Sequence, residues 1–252
     1  MLFSLLGSVL LLFLLILTAK TLMQRETTLS SAQGPEAVRD PHAEQALSMA
    51  IGCRTISHEN ADATEWEAFT RLQQLLSKTY SLCETMRLTD AELGPHNLVY
   101  RFEGKDISCE PALLTAHLDV VGAVEHEWSH PPFAGHIADG YVWGRGSFDC
   151  KLQVITILEA CEEMLQRGEQ PHRTWYIAFG CDEECNASGE GATRISSWFA
   201  EQGLHFSLVL DEGGVVSQNY IKGFKQSIAV VGVAEKGYLD LELRVKREAG
   251  HS

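Results

Sequence analysis

The sequence predicts an α/β fold built on a mainly parallel sheet, and three observations carry that expectation. Three short apolar runs, Ala112-Leu113-Leu114-Thr115-Ala116, Trp175-Tyr176-Ile177-Ala178-Phe179 and Phe206-Ser207-Leu208-Val209-Leu210, have the continuous character of strands buried on both faces. Between the first two, Leu152 to Leu165 carries apolar residues at 154, 158, 161 and 165, the spacing of a core-facing helix. Ala192 to Phe199 offers another helix before the third run, so strands and helices alternate as they do in layered α/β domains.

Taken from the amino terminus, the chain begins with Leu2 to Ala19, an uncharged apolar stretch. It approaches the ~20 residues that a membrane-spanning helix needs. No basic residue precedes it, and LTAKTLMQ is a poor cleavage site, so an uncleaved single-pass anchor is read ahead of a removed signal peptide. Either reading places the chain at a membrane, in the secretory pathway or outside the cell. Lys20 and Arg25 are too few charges, with Glu26 beside them, to fix an orientation. Residues 20–40 read as a polar linker, and residues 41–245 as the body. Within the body, Thr64 and Glu67 form a capping-box pattern ahead of Trp66, Phe69, Leu72, Leu75 and Leu76 at helical spacing.

Composition limits the function classes. The 252 residues are 45% hydrophobic, an ordinary fraction for a chain that buries a core. With 20 basic and 34 acidic side chains the net charge is −14, which argues against nucleic-acid binding. Seven cysteines cannot all pair within one chain and include no CxxC, so they read mostly as small core residues. The sequon Asn186-Ala187-Ser188 has meaning only if the body is lumenal. His126, His130, His136, His172 and His205 fit no ligand spacing.

The chemistry-bearing residues follow the predicted strands. The first run leads into His117-Leu118-Asp119, the second into Asp182-Glu183-Glu184, the third into Asp211-Glu212-Gly213-Gly214. Asp149 follows the turn Gly144-Arg145-Gly146-Ser147 and directly precedes a helix. Sites in open α/β sheets form beyond the carboxyl ends of the strands, so one imidazole and several carboxylates should converge there. So many acids in one cleft repel one another unless cations compensate them. Histidine with carboxylates, without thiolate, suits Zn²⁺ or another divalent transition metal.

Read in order, Ala116-His117-Leu118-Asp119-Val120-Val121, Trp128 with Pro131-Pro132-Phe133, Gly144 to Lys151, Asp182-Glu183-Glu184 and Asp211-Glu212-Gly213-Gly214 resemble the co-catalytic dizinc amidohydrolases. Aminoacylase, carboxypeptidase S and N-fatty-acyl-amino-acid hydrolase/synthase belong to that group. Gly223-Phe224-Lys225 and Glu235-Lys236-Gly237 add to the likeness, which runs from about residue 45 to the end. The resemblance implies a three-layer zinc-exopeptidase-like domain holding two zinc ions. It implies His117, Asp149, Glu184 and Asp211 as metal ligands, with Asp149 as the bridge. Asp119 would orient His117, and Glu183 would be the general base that moves a proton from the attacking water to the leaving amine. The implied reaction is hydrolysis of an amide next to a free carboxylate, in a small peptide or an N-acyl amino acid.

Three departures accompany the resemblance. Cys150 stands where relatives commonly carry Asp or Met, and the stretch from Cys185 to Ala192 is about two residues longer than usual. In relatives a Gly-His-Ser segment opens a lid or dimerisation domain, after which the chain returns with a last ligand histidine. Here that segment is Gly250-His251-Ser252, and residues 246–252 are read as the start of a lid whose remainder is absent from the sequence. His251 would then be the lid histidine that stabilises the oxyanion, often across a homodimer. The expectation is the amino-terminal part of a metallo-amidohydrolase. Its alternative is an inactive membrane-anchored fragment that acts, if at all, as a partner chain.

Overall fold

The sequence divides after Arg39 into two units, Met1–Arg39 and Asp40–Ser252. The computed structural model describes residues 2–23, 39–185, 189–214, 216–218, 222, 227–234, 237 and 241–244. The first unit holds one helix, α1 (Leu2–Met23), with Leu10 to Leu17 all exposed. Its side chains are described only in part, and among the described residues no helix is long and apolar enough to cross a membrane.

In the second unit, α2 (Pro41–Gly52) starts where sequence chemistry favours a start. Asp40 accepts hydrogen bonds from the amides of His42 (2.9 Å) and Ala43 (3.3 Å), and a proline takes the first helical position. The next helix, α3 (Trp66–Thr79), buries Ala68, Phe69, Leu72 and Leu76 on one stripe. The expected capping box is not made. Thr64 instead closes a short turn at Ala61–Ala63 and accepts from the His58 amide (3.2 Å), leaving Glu65 at the cap with no side-chain bond. A short helix, α4 (Ser81–Glu84), follows.

The sheet is then laid down by β1 (Leu98–Phe102) and β2 (Ala112–His117), followed by a small hairpin of β3 (His136–Ala138) and β4 (Tyr141–Trp143). Helix α5 (Lys151–Gln166), strand β5 (Trp175–Gly180), helix α6 (Ala192–Glu201) and strand β6 (Leu208–Leu210) complete the alternation. A second small hairpin pairs β7 (Val216–Gln218) with β8 (Ser227–Ala229). The sheet order is β1-β5-β2-β6, with β5, β2 and β6 parallel and β1 antiparallel to β5. Register runs from Ala112 opposite Trp175 to His117 opposite Gly180, so β2 and β5 end level with one another.

Alternation along the strands builds a core on each face. Ile177 and Phe179 of β5 pack with Phe69, Leu72, Leu158 and Tyr100 on the side of α2, α3 and α5. Tyr176 and Ala178 point the other way, to Val99, Ile195, Trp198 and Phe199 beneath α6. Each large side chain fully buried in this way contributes about 1.5–3 kcal/mol over leaving it exposed. The layers are those the sequence predicts, with one correction. Strand β6 is not buried on both faces: Leu208, Val209 and Leu210 are 58%, 53% and 52% exposed. It is the edge strand, paired over three residues with β2, and among the described residues no strand pairs with its other side.

Candidate metal centre

The register that levels β2 with β5 also fixes where the cleft lies. His117 is the last residue of β2, buried to 2% exposure, and the chain after β5 carries Asp182-Glu183-Glu184 past it. Asp119, fully buried, ties the two segments together. Its carboxylate accepts from the Ser57 hydroxyl (2.6 Å) and from the backbone amides of Glu183 (3.1 Å) and Glu184 (3.0 Å), while Oδ1 lies 3.3 Å from His117 Nδ1. The Nδ1 atom is also 2.9 Å from the Asp119 carbonyl, so both contacts hold that side of the ring and leave Nε2 facing the cleft.

Asp149 reaches the same point from the start of α5. The turn before it needs glycine: Gly146 has φ +83°, and a Cβ there would fall 2.8 Å from Val120 Cγ1. The Asp149–Cys150 peptide is cis. Below it, the buried Lys151 donates to the carbonyls of Ala50 (2.9 Å) and Cys53 (2.6 Å), fastening the helix start to the end of α2. Burial pulls the Lys151 ammonium down to about 8. Cys150 packs behind the histidine, its sulfur accepting from the His117 amide (3.1 Å). Burial pushes that thiol up to about 11.

Around His117 Nε2 the carboxylates gather. Asp149 Oδ1 is 3.1 Å away, Glu212 Oε2 3.3 Å and Glu183 Oε2 3.8 Å. Donor atoms of His117, Asp149, Cys150 and Glu212 lie within 4.8 Å of one another, as do those of His117, Glu183 and Glu184. Two overlapping donor groups sharing one imidazole, mostly oxygen, fit divalent metal ions.

Electrostatics point the same way. Burial alone would lower His117, but hydrogen bonds to Asp119 and Cys150 and their charges lift it to about 12. Burial would raise Asp119, yet the bonds from His117, Ser57 and Glu184 hold its carboxyl below the usual range. Glu183 and Glu184 are both raised, first by burial and then by neighbouring carboxylates, with His117 opposing. Crowded acids beside one imidazole are what a cation relieves.

Of the residues expected from sequence, His117, Asp119, Asp149, Glu183 and Glu184 meet in this cleft. Asp211 does not enter either donor group. It lines a cavity of about 240 Å³ beside His117 and Glu183, while its own carboxylate accepts from the Glu212 amide (2.9 Å). Successive side chains in extended chain point to opposite sides, and just past β6 it is Glu212 that faces the imidazole. Glu212 is part of the Asp211-Glu212-Gly213-Gly214 motif, which by itself gives it no role, and nothing in the sequence marks Ser57. His251, Gly223-Phe224-Lys225, Glu235-Lys236 and the sequon lie outside the described residues.

The Asp182 side chain also meets the stretch that leads into α6. Asp182 accepts from the Glu190 amide (2.9 Å), and a Cβ on Gly191 would fall 2.0 Å from Asp182 Oδ1. Only glycine lets α6 begin so close to the acid.

The chain is 37% identical over 209 residues to N-fatty-acyl-amino acid synthase/hydrolase PM20D1 of Xenopus tropicalis, covering 82% of this chain and 40% of that protein. It is 36% identical over 204 residues to carboxypeptidase S of Saccharomyces cerevisiae, covering 76% and 34%. The solved M20 family metallo-carboxypeptidase Sso-CP2 from Sulfolobus solfataricus superposes with a TM-score of 0.55 at 18% identity, over 71% of this chain and 38% of that one. Human carnosine dipeptidase 1 does so with a TM-score of 0.50 at 16% identity, over 70% and 39%, which speaks for the fold. The chain thus spans about 40% or less of the length of these curated relatives. Residues 113–242 match the family model for peptidases M20/M25/M40, which begins one residue into β2 and takes in every described member of the cleft except Ser57. On that match, over more than half its length, the chain belongs to peptidase family M20/M25/M40.

Proposed function

We propose that the cleft hydrolyses an amide bond next to a free carboxylate, in small peptides or N-acyl amino acids, with two zinc ions as the cations. The observation that carries this reading is the convergence of His117, Asp149, Glu183, Glu184 and Glu212 at the carboxyl ends of β2, β5 and β6. The names of the relatives, an N-fatty-acyl-amino acid synthase/hydrolase and a carboxypeptidase, support the substrate class. The cavity beside the site has apolar walls of Leu113, Ala178, Ile195 and Phe199, which suit an acyl or aliphatic group.

In this reading His117, Asp149, Glu184 and Asp211 would hold the ions, and Glu212, 3.3 Å from His117 Nε2, stands close to them. When bound, zinc acidifies water and polarises the scissile carbonyl. Asp119 keeps Nδ1 of His117 engaged, so Nε2 is the ligand atom. Glu183 takes the proton of the attacking water and delivers it to the leaving nitrogen; its raised carboxyl suits a group that both accepts and returns a proton. The same reading keeps Leu2–Ala19 as an anchor or secretory signal. It also keeps His251 as an oxyanion-stabilising group in a homodimer.

Glu183→Gln separates the base from the ligands. It is expected to retain bound metal while hydrolysis of N-acyl amino acids falls by about 10²–10⁴-fold, the usual contribution of a general base. Full activity in Glu183→Gln contradicts the assignment.

A further inference from the structure

At the opposite end of the sheet from the cleft, three donors of different chemistry meet. Asp106 and Cys109 lie in the loop between β1 and β2, and His172 in the loop between α5 and β5. Cys109 Sγ is 3.4 Å from Asp106 Oδ2 and 3.9 Å from His172 Nδ1, and all three ligand atoms fall within 4.8 Å of one another. In a tetrahedral zinc site with Zn–S near 2.3 Å and Zn–N or Zn–O near 2.0–2.1 Å, sulfur lies about 3.6 Å from each harder ligand. The separations of 3.4 and 3.9 Å bracket that edge.

The two loops are held together independently of any ion. The amides of Lys105 and Asp106 donate to the carbonyls of Pro171 and His172, both at 2.9 Å. Asp106 Oδ1 is occupied by the amide (3.0 Å) and hydroxyl (2.6 Å) of Ser108, which leaves Oδ2 as the free corner facing the sulfur. The Arg173 guanidinium donates to the Glu110 carbonyl and the Ser207 hydroxyl. His172 is exposed and the other two are half-buried, so water can complete the fourth position. Ala112 and His117 bound the six-residue β2, which puts this cluster on the order of 17 Å or more from the cleft at ~3.3 Å per residue.

We infer that Asp106, Cys109 and His172 form a second, peripheral site for a thiophilic divalent metal such as Zn²⁺, which staples the β1–β2 loop to the α5–β5 loop. It shares no residue with the cleft and does not depend on the proposed activity.

The test uses Co²⁺ as a spectroscopic probe and Zn²⁺ as a protecting ion on the whole chain. In a Cys150→Ser chain, which removes the thiol beside the cleft, Co²⁺ is expected to give a thiolate-to-cobalt charge-transfer band that adding Cys109→Ser abolishes. Zn²⁺ is expected to slow iodoacetamide alkylation of Cys109, read by peptide mass spectrometry, and to lose that effect in His172→Ala. Absence of the band in Cys150→Ser, its persistence when Cys109→Ser is added, or alkylation of Cys109 at one rate with and without Zn²⁺ would each overturn the inference.

Discussion

At the scale of single residues, Asp119 does more than orient a histidine. Its carboxylate serves the Ser57 hydroxyl and the amides of Glu183 and Glu184 inside a fully buried setting. Asp119→Ala strands those donors and is expected to destabilise the chain by about 3 kcal/mol or more in urea unfolding. A loss below about 0.5 kcal/mol, the level of an ordinary surface change, would contradict that role. Asp149→Asn is expected to lose metal, read by metal analysis of the purified protein, because it removes the carboxylate charge 3.1 Å from His117 Nε2, the atom that faces the cleft. Much of this was legible: His117, Asp119, Asp149 and the glutamate pair each follow a strand or precede a helix, and they meet. The grip of Asp119 on amides 64 and 65 residues away was not, since a bond to backbone leaves no side-chain pattern. Nor could spacing choose between Asp211 and Glu212, which differ by half a pleat. Away from the cleft, burial pushes the Cys161 thiol from 9.0 up to about 12. Between those values the folded chain holds more protons than the unfolded one, so stability present below pH 9 is lost as pH rises towards 12. Urea midpoints measured from pH 8 to 10.5 should fall less steeply in Cys161→Ala than in the unmodified chain, and equal slopes would refute it; the contribution of Lys151 cancels in that difference.

At the scale of elements, β5 and β6 show what an apolar run can and cannot say. Both were expected to be buried on two faces. Only β5 is, because it lies between β1 and β2 and beneath helices on both sides, whereas β6 sits at the edge with Leu208, Val209 and Leu210 open. Position in a sheet is a non-local property, and the residues of a strand do not encode it. The α3 cap failed for a related reason: the Ala61–Ala63 turn claims Thr64 before the helix begins. An uncovered apolar edge strand is a template for association. The chain by itself is expected to elute as concentration-dependent oligomers in size-exclusion chromatography, with Val209→Lys shifting it towards monomer. A monodisperse monomer without the substitution would argue against an exposed edge.

For the whole molecule, 252 residues and an ordinary apolar content gave no hint of specialisation; the −14 charge acquires meaning from the few acids that meet at one imidazole. The cleft draws on segments from Ser57 to Glu212, so it exists only when the α/β layers are assembled. The chain belongs to peptidase family M20/M25/M40 and spans about 40% of the length of a relative. The most direct test is therefore metal content and N-acyl amino acid hydrolysis, measured together for this chain and for the chain joined to a carboxy-terminal portion like that of its relatives. Bound zinc and turnover are expected in the joined protein, with both lost in Asp149→Asn. A joined, folded protein that binds no zinc and hydrolyses nothing would contradict it.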